Sequence, residues 1–270
     1  MASSAFPASH EALSQSISLG FQQYGVTPRQ LQIDGGLFPE VKIMRIDLSG
    51  SKVTREHGMA AAGGTTISGP ERLHIDQVEL NATPIEFEGM PLAFQLHATG
   101  AKFAPAGGAG SRAFLIPITA ATGELLVSAQ RTELEKLAHS LVAAAASKQG
   151  IEIKKTRLEL HSTSARSLDF RAEVTAKMFI MSATLTVSGK LEVDDQLNAR
   201  VSGLSCRGDG MIASAANAFL KPHFQRIESQ PFSLNAFSLG ELQLRDISLQ
   251  TGETVQLRGV FGSEPAKLAA

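Results

Sequence analysis

Most of the chain alternates between apolar and polar residues with a period of two, which predicts strands that bury one face. The clearest examples are residues 42–48, 92–98 and 168–174. Alternation of this kind is typical of an antiparallel sheet with one face in water. Residues 178–187 are apolar on both sides at their start, so we expect a single strand there that is covered on both faces.

Three segments have the helical period of about 3.6 residues instead. In the first, residues 10–24, the side chains of Leu13, Ile17 and Phe21 share one face, and Ser9 precedes it as a candidate N-cap. This pattern predicts an amphipathic helix whose apolar stripe faces a sheet.

The second and third helices are predicted from their starting signals. Thr132 and Glu135 have the spacing of a capping box, in which each side chain would bond the other residue's backbone N–H. Asp209 is the candidate N-cap of the third helix, and Pro222 is expected to bend or end it. His139 is expected on the exposed side of the second helix.

Two pieces of the chain resemble each other. Residues 78–83 match residues 158–163 in the order of apolar and polar positions, and each is followed by a Leu-x-Phe strand. Residues 73–80 likewise match residues 242–249, and in both the alternation slips by one residue in the middle, which predicts a β-bulge there. Either amphipathic strands simply look alike, or the sheet consists of similar curved hairpins, since bulges increase the local bend.

Residues 49–70 lack any periodicity and predict a long loop. We expect it to join two strands of opposite direction, so that both of its ends lie at one end of the sheet. Met59 and the alanines at 60–62 are the only apolar group in it, and they are candidates for a transient membrane contact or for covering a cavity entrance.

The composition narrows the function classes. The 270 residues include 25 Lys and Arg against 26 Asp and Glu, a formal net charge of −1. A balanced charge without a dense basic run argues against nucleic acid as a partner. No apolar run approaches the length of about 18 residues that a membrane span needs. The first residues lack the features of a secretory leader, so we expect a cytoplasmic protein or an envelope protein whose leader was removed.

Candidate catalytic chemistry is sparse. The sequence has no Gly-x-Ser-x-Gly elbow, no phosphate-binding Gly-x-x-x-x-Gly-Lys loop and no His-Glu-x-x-His. The histidines are scattered without the spacing of a metal site, and His74, His97 and His161 are expected on polar sheet faces. Cys206 is the only cysteine, which excludes an internal disulfide. We therefore predict no enzyme activity, no cofactor and no metal.

The order of elements carries a family resemblance. An N-terminal helix, amphipathic strands, a central helix, further strands, a last helix and a terminal hairpin follow one another. The segments with the closest likeness are residues 37–50, 71–80, 132–137, 187–191, 239–249 and 255–261. Over roughly residues 37–261, the chain resembles the small bacterial members of the tubular lipid-binding (TULIP) superfamily, above all the DUF2993 family of LmeA-type phospholipid-binding proteins.

The resemblance implies an α+β fold with about three helices, in which a highly curved antiparallel β-sheet wraps around a long helix. We assign residues 1–36 to an N-terminal helix and lead-in strand, 37–262 to the lipid-binding domain and 263–270 to a tail. The implied function is non-enzymatic binding, or transfer, of a phospholipid or fatty-acyl ligand in a hydrophobic channel. Two alternatives stay open: a structural or interaction module with a self-filled core, and an unrecognised lipid-modifying enzyme.

The side chains expected to line such a channel are apolar residues of the first and third helices and of the inward strand faces. They are Leu13, Ile17, Phe21, Phe94, Leu96, Phe170, Val174, Phe179, Met181, Met211, Ala215 and Phe219. Methionine suits a channel for variable chains because it is unbranched and polarizable. Each of these residues is also compatible with a plain core role.

Overall fold

The chain divides into two compact units. The first consists of Met1–Ser128, Phe237–Asp246 and Arg258–Ala270, and the second of Ala129–Ala236 and Ile247–Leu257. The computed structural model describes residues 6–23, 25–54, 69–70, 72–106, 114–147, 150–178, 181–236 and 242–263.

Three α-helices and fourteen strands are found in the described part of the chain. In chain order, they are α1 (His10–Gln23), β1 (Gln30–Asp34), β2 (Glu40–Asp47), β3 (Lys52–Val53), β4 (Leu73–Phe87), β5 (Met90–Ala106), β6 (Phe114–Thr119), β7 (Thr122–Gln130), α2 (Arg131–Ser147), β8 (Glu152–Ser164), β9 (Ser167–Met178), β10 (Met181–Val193), β11 (Asn198–Gly208), α3 (Gly210–Ser229), β12 (Phe232–Ser233), β13 (Leu244–Gln250) and β14 (Thr254–Phe261). The predicted α+β class with three helices is therefore confirmed.

The larger sheet has the order β1-β2-β4-β5-β7-β14-β13, with β3 also paired to β4 and β6 to β5. Most of its pairs are antiparallel, but β2 and β3 both pair with β4 in parallel. The prediction of an antiparallel sheet is therefore correct only in part, because the larger sheet is mixed. The parallel pairing also contradicts the expected path of residues 49–70, because a connection between parallel neighbours must return along the length of the sheet.

The first unit has a buried apolar core. Among the described residues, the largest side chains with less than 2 % exposure all belong to this unit: Phe261, Leu13, Leu73, Ile75 and Val41. The helix α1 begins as predicted, since Ser9 Oγ accepts the backbone N–H of Ala12 at 3.2 Å. Its stripe residues Ile17 and Phe21 pack against the same cluster.

The internal similarity corresponds to two hairpins with equivalent bulges. In the β4–β5 hairpin the register shifts between Ala82 and Ile85, and in β8–β9 it shifts between Ser162 and Ser164. Aligning residues 78–83 with 158–163 places Ala82 on Ser162, so both bulges begin at the same point of the repeat. The two hairpins are thus similar, but the predicted bulge in the middle of residues 73–80 is not found, because the register with β5 is unbroken from Leu73 to Ala82.

The smaller sheet belongs to the second unit and has the order β12-β11-β10-β9-β8, with every described pair antiparallel. Met181 at the start of β10 pairs with Met178 at the end of β9. The prediction of one continuous strand over residues 178–187 is therefore wrong. The doubly apolar stretch contains the point where one strand ends and the next begins.

The N-terminal capping bonds predicted for α2 and α3 are not found, and α3 does not end at the predicted residue. Glu135 does not form the capping box, because its carboxylate accepts the backbone N–H of Leu158 at 2.9 Å. Asp209 is the N-cap residue of α3 but makes no side-chain capping bond. Pro222 lies inside α3, which continues to Ser229, so the helix does not end there. No helix in the described part of the chain is long and apolar enough to cross a membrane.

Candidate functional site

The register of the smaller sheet separates a polar face from an apolar face. Side chains of successive residues point to opposite faces, so residues that are directly paired across strands share a face. On one face, Arg171 and Glu173 pair at 2.7 Å, and Lys190 and Glu192 pair at 2.6 Å. Opposite charges within each pair balance each other on this face.

The opposite face is apolar across four strands. Leu160 on β8 pairs with Phe170 on β9, which in turn pairs with Gly189 on β10. Glycine leaves room for its neighbours at position 189, because a Cβ there would lie 2.7 Å from Phe170 Cζ and 2.8 Å from Leu204 Cδ2. The ring of Phe170 and the end of Leu204 therefore converge above this glycine.

Much of this apolar face is only half-buried. Its fully buried members, including Val174, Leu185 and Cys206, lie toward one end of the sheet, where α3 packs. The half-buried members are Leu158, Leu160, Leu168, Phe170, Ala172, Val187, Leu191, Val201 and Leu204. Large apolar side chains are thus left partly open to solvent over the middle of the sheet.

The two helices of this unit lie at different edges of the sheet. The helix α2 packs on β8, and α3 packs on β11 and β10. On each side a glutamate accepts a free backbone N–H of the edge strand: Glu135 from Leu158 at 2.9 Å and Glu228 from Leu204 at 2.7 Å. These bonds protect strand edges that would otherwise expose unpaired donors.

This placement leaves a strip of sheet between the helices. Three steps of about 4.8 Å separate β8 from β11, or about 14 Å in all. Helices in direct contact lie only about 8–10 Å apart, so helices over the two edges are spaced more widely than helices that pack directly on each other. We call this strip, with the half-buried apolar residues of β8–β11 as its floor and α2 and α3 as its walls, the inner groove.

Both helices of this unit and β12 carry exposed apolar side chains. Leu141 on α2 is 54 % exposed, Ile227 on α3 47 % and Phe232 on β12 44 %. An α-helix turns by about 100° per residue. Leu134 and Leu141 therefore lie on one stripe of α2, and this stripe is about 100° around the helix from Glu135. The apolar stripe of α2 is therefore not the part of the helix that is anchored to β8.

Polar groups are few in the inner groove. His139 Nδ1 lies 3.1 Å from the hydroxyl of the buried Thr156, so the prediction that His139 is on the exposed side of α2 is wrong. Burial raises the pKa of the Cys206 thiol, which leaves it protonated and unreactive near neutral pH. Neither residue has the partners that nucleophilic catalysis requires.

A second depression, of about 590 Å³, lies on the polar face of the larger sheet. Arg45 and Glu79 pair there at 2.8 Å, and Arg258 donates to both oxygens of Glu124 at 2.6 and 2.7 Å. These bonds from Arg258 hold the pKa of Glu124 below its usual range. His97 is exposed in the same depression, as predicted. Its arginines and glutamates thus satisfy one another, and within the described residues no three His, Cys, Asp or Glu side chains converge as metal ligands.

The predicted lining residues fall in both units. Leu13, Ile17, Phe21, Phe94 and Leu96 lie together in or against the core cluster of the first unit. Phe170 and Val174 lie on the apolar face in the second unit. Phe179 and the side chains of Met181, Met211, Ala215 and Phe219 lie outside the described residues, as do Met59 and residues 60–62.

Several groove residues were not singled out from the sequence. Leu158, Leu160, Leu191 and Leu204 have the same alternation as Phe170, and that alternation was the available signal. What the sequence could not show is that these leucines share a floor with Phe170, because the sharing depends on strand register.

Comparisons with protein-family models, with curated protein sequences and with solved structures find no match to this chain.

Proposed function

We propose that the protein binds a phospholipid or another ligand with a long acyl chain in the inner groove, without catalysing a reaction. The observation that carries this proposal is the partly exposed apolar floor, together with exposed Leu141 and Ile227 on the two helices of the same unit. Exposed apolar surface of this extent within one unit is typical of ligand grooves and interaction sites. An acyl chain suits a floor that is long, narrow and poor in hydrogen-bonding groups.

The driving force is burial of apolar surface. Each methylene removed from water contributes about 0.8 kcal/mol, so ten methylenes along the floor contribute about 8 kcal/mol before the costs of immobilising the chain. On β9 and β10 the partly exposed floor extends over residues 168–172 and 187–191, or roughly 16 Å at about 3.3 Å per residue. The floor therefore accommodates part of an acyl chain.

Head-group selectivity is expected to be weak. The acids on the groove walls, Glu135 and Glu228, already accept backbone N–H groups of the sheet. Specific recognition of a head group requires several convergent polar groups, and the described floor residues are hydrocarbon. The polar end of the ligand accordingly lies at an end of the groove, in contact with water.

We also propose that the chain is a TULIP-like protein, as its sequence resemblance implies. Two similarly bulged hairpins and the mostly antiparallel pairing support this proposal, since bulges increase the bend of a sheet. The proposal includes a highly curved sheet wrapped around a long helix. A crystal structure of the chain with lipid bound tests that arrangement.

Native mass spectrometry of the chain purified from cells tests the binding proposal directly. A co-purifying mass in the range of a phospholipid or fatty acid is the expected result. In parallel, displacement of a fluorescent fatty acid measures affinity for the delipidated chain. A bare mass together with no uptake of the fluorescent fatty acid would refute the proposal and favour an interaction module with a self-filled core.

A matched pair of α2 variants locates the site. Leu141→Glu places a charge on the exposed apolar stripe, whereas Ser140→Glu places the same charge on an exposed position about 100° around the helix. Both should fold, because neither position is buried. We expect Leu141→Glu to weaken fatty-acid binding at least about tenfold, since a carboxylate against an acyl chain is poorly solvated, and Ser140→Glu to bind as the parent does. Equal binding by both variants would exclude the Leu141 stripe of α2 from the binding site.

A further inference from the structure

The turn between β1 and β2 displays a leucine. Leu37 is 89 % exposed, the most exposed of the large apolar side chains in the described residues. Gly36, beside it, has φ +82°, and a Cβ on it would lie 2.1 Å from the carbonyl oxygen of Glu40. The backbone N–H of Glu40 donates to Leu37 O at 2.9 Å and closes the turn. The local backbone, which tolerates only glycine at 36, therefore holds Leu37 outward in a tight turn.

The next residue is anchored inward. The ring of Phe38 lies 5.9 Å from that of Phe6 and 6.0 Å from the ring of His10, measured between centroids. These contacts border a crevice of about 510 Å³. Because Phe38 fixes the base of the turn, Leu37 stands on a supported element rather than on a loose loop.

Two cations flank this turn. The side chain of Lys42 runs beside Gly35, and the guanidinium carbon of Arg72 lies 5.7 Å from the centre of the Phe6 ring. Neither side chain has an ion-pair partner within the described part of the chain. The nearby acid Glu40 is engaged by His74 at 3.0 Å. A leucine beside two cations is complementary to a surface with hydrocarbon beneath anionic phosphate groups.

We propose that the Leu37 turn, residues 35–38, is a docking point for an anionic lipid bilayer. Leu37 enters the boundary between head groups and acyl chains, while Lys42 and Arg72 meet lipid phosphates. A single leucine and two cations give reversible contact, since stable anchoring takes larger buried surfaces or lipid chains. The proposal concerns the first unit and does not depend on the inner groove.

Vesicle sedimentation with the full chain tests this docking. The probes are vesicles of phosphatidylcholine alone and of phosphatidylcholine with phosphatidylglycerol. We expect the chain to partition onto the vesicles that contain phosphatidylglycerol. Leu37→Gln should reduce its partition coefficient about tenfold or more, which is the factor expected for transferring one leucine side chain fully out of water. Leu19→Gln is the matched control, because Leu19 is another exposed leucine of the same unit, at 40 % exposure.

A variant with both Lys42→Gln and Arg72→Gln should lose about fivefold in binding to the anionic vesicles for each cation removed, with little change on phosphatidylcholine. Circular dichroism before each assay confirms that the variants are folded. The proposal is overturned if the parent chain binds neither vesicle, if Leu37→Gln binds as the parent does, or if Leu19→Gln loses as much. A parent that binds both vesicles equally would refute the role of the two cations.

Discussion

Gly123 and Gly189 each lie in a strand beside an aromatic ring, and the same substitution at the two sites distinguishes a closed core from an open groove. A Cβ at Gly123 would lie 2.0 Å from Phe261 Cε2, and Phe261 is 1 % exposed. A Cβ at Gly189 would lie 2.7 Å from Phe170 Cζ and 2.8 Å from Leu204 Cδ2, both ends of half-buried side chains.

The expected loss of stability for each variant depends on how far the neighbouring aromatic ring can move. Overpacking a closed core costs about 1–3 kcal/mol and sometimes more, and the severe overlap with Phe261 places Gly123→Ala at about 3 kcal/mol or above. At Gly189, displacing two flexible side chains into the open groove costs about 1 kcal/mol. Replacing a strand glycine by alanine recovers about 0.5–1 kcal/mol of that. Gly189→Ala should therefore be within about 0.5 kcal/mol of the parent.

Urea unfolding followed by circular dichroism measures both values, provided that the slope of each transition stays that of the parent. The groove interpretation predicts a large loss for Gly123→Ala and almost none for Gly189→Ala. If Gly189→Ala loses about 3 kcal/mol as well, the ring of Phe170 is confined, and the apolar face of the smaller sheet is a closed core.

Three further predictions test individual side chains. Phe170→Asp should unfold the second unit or abolish fatty-acid uptake, whereas Arg171→Asp on the polar face should be tolerated apart from a loss of up to about 1 kcal/mol; equal effects would show that the assigned strand faces are wrong. Because the folded-state pKa of Glu124 lies below its ordinary 4.5, its pairing with Arg258 stabilises the fold above that pH and is lost as the pH falls through the folded-state pKa. Glu124→Gln should thus lower the free energy of unfolding at pH 7 by about 0.5–1 kcal/mol and have little effect well below the folded-state pKa of Glu124. Unfolding curves at several pH values measure this, and a difference between parent and variant that stays constant with pH would contradict the assigned ion pair. Cys206, buried and with a raised pKa, should react with Ellman's reagent only after denaturant is added, and rapid labelling of the native chain would count against the assigned burial.

The strand faces of the candidate site follow from the amino-acid pattern alone. The alternation in residues 168–174 correctly placed Phe170 on the apolar face and Arg171 on the polar one. The repeat of residues 78–83 at 158–163 corresponds to two similar hairpins, although the bulge was predicted within residues 73–80 and begins only after Ala82. Both signals are local, since the faces of a strand are set by the period-two geometry of its own backbone.

Capping and burial of individual helix residues were harder to predict. The Thr132–Glu135 spacing suggested a capping box, but Glu135 bonds Leu158, which is 23 residues away. His139 was expected in solvent and instead contacts Thr156. A carboxylate or an imidazole takes the partner that folding brings near, and an unpaired N–H on an edge strand is a strong competitor for a local cap.

The sequence by itself determined the α+β class, the period of each element and which strand residues are apolar, because these depend on neighbours along the chain. Only the tertiary structure decided that β2 and β4 run parallel, that residues 178–187 span two strands, and that α2 and α3 lie at opposite edges of one sheet. Those features are set by pairing between residues far apart in sequence, where many registers satisfy the same apolar pattern. Whether an apolar face becomes a core or a groove depends on what covers it, and that is a property of the packed helices rather than of the strand.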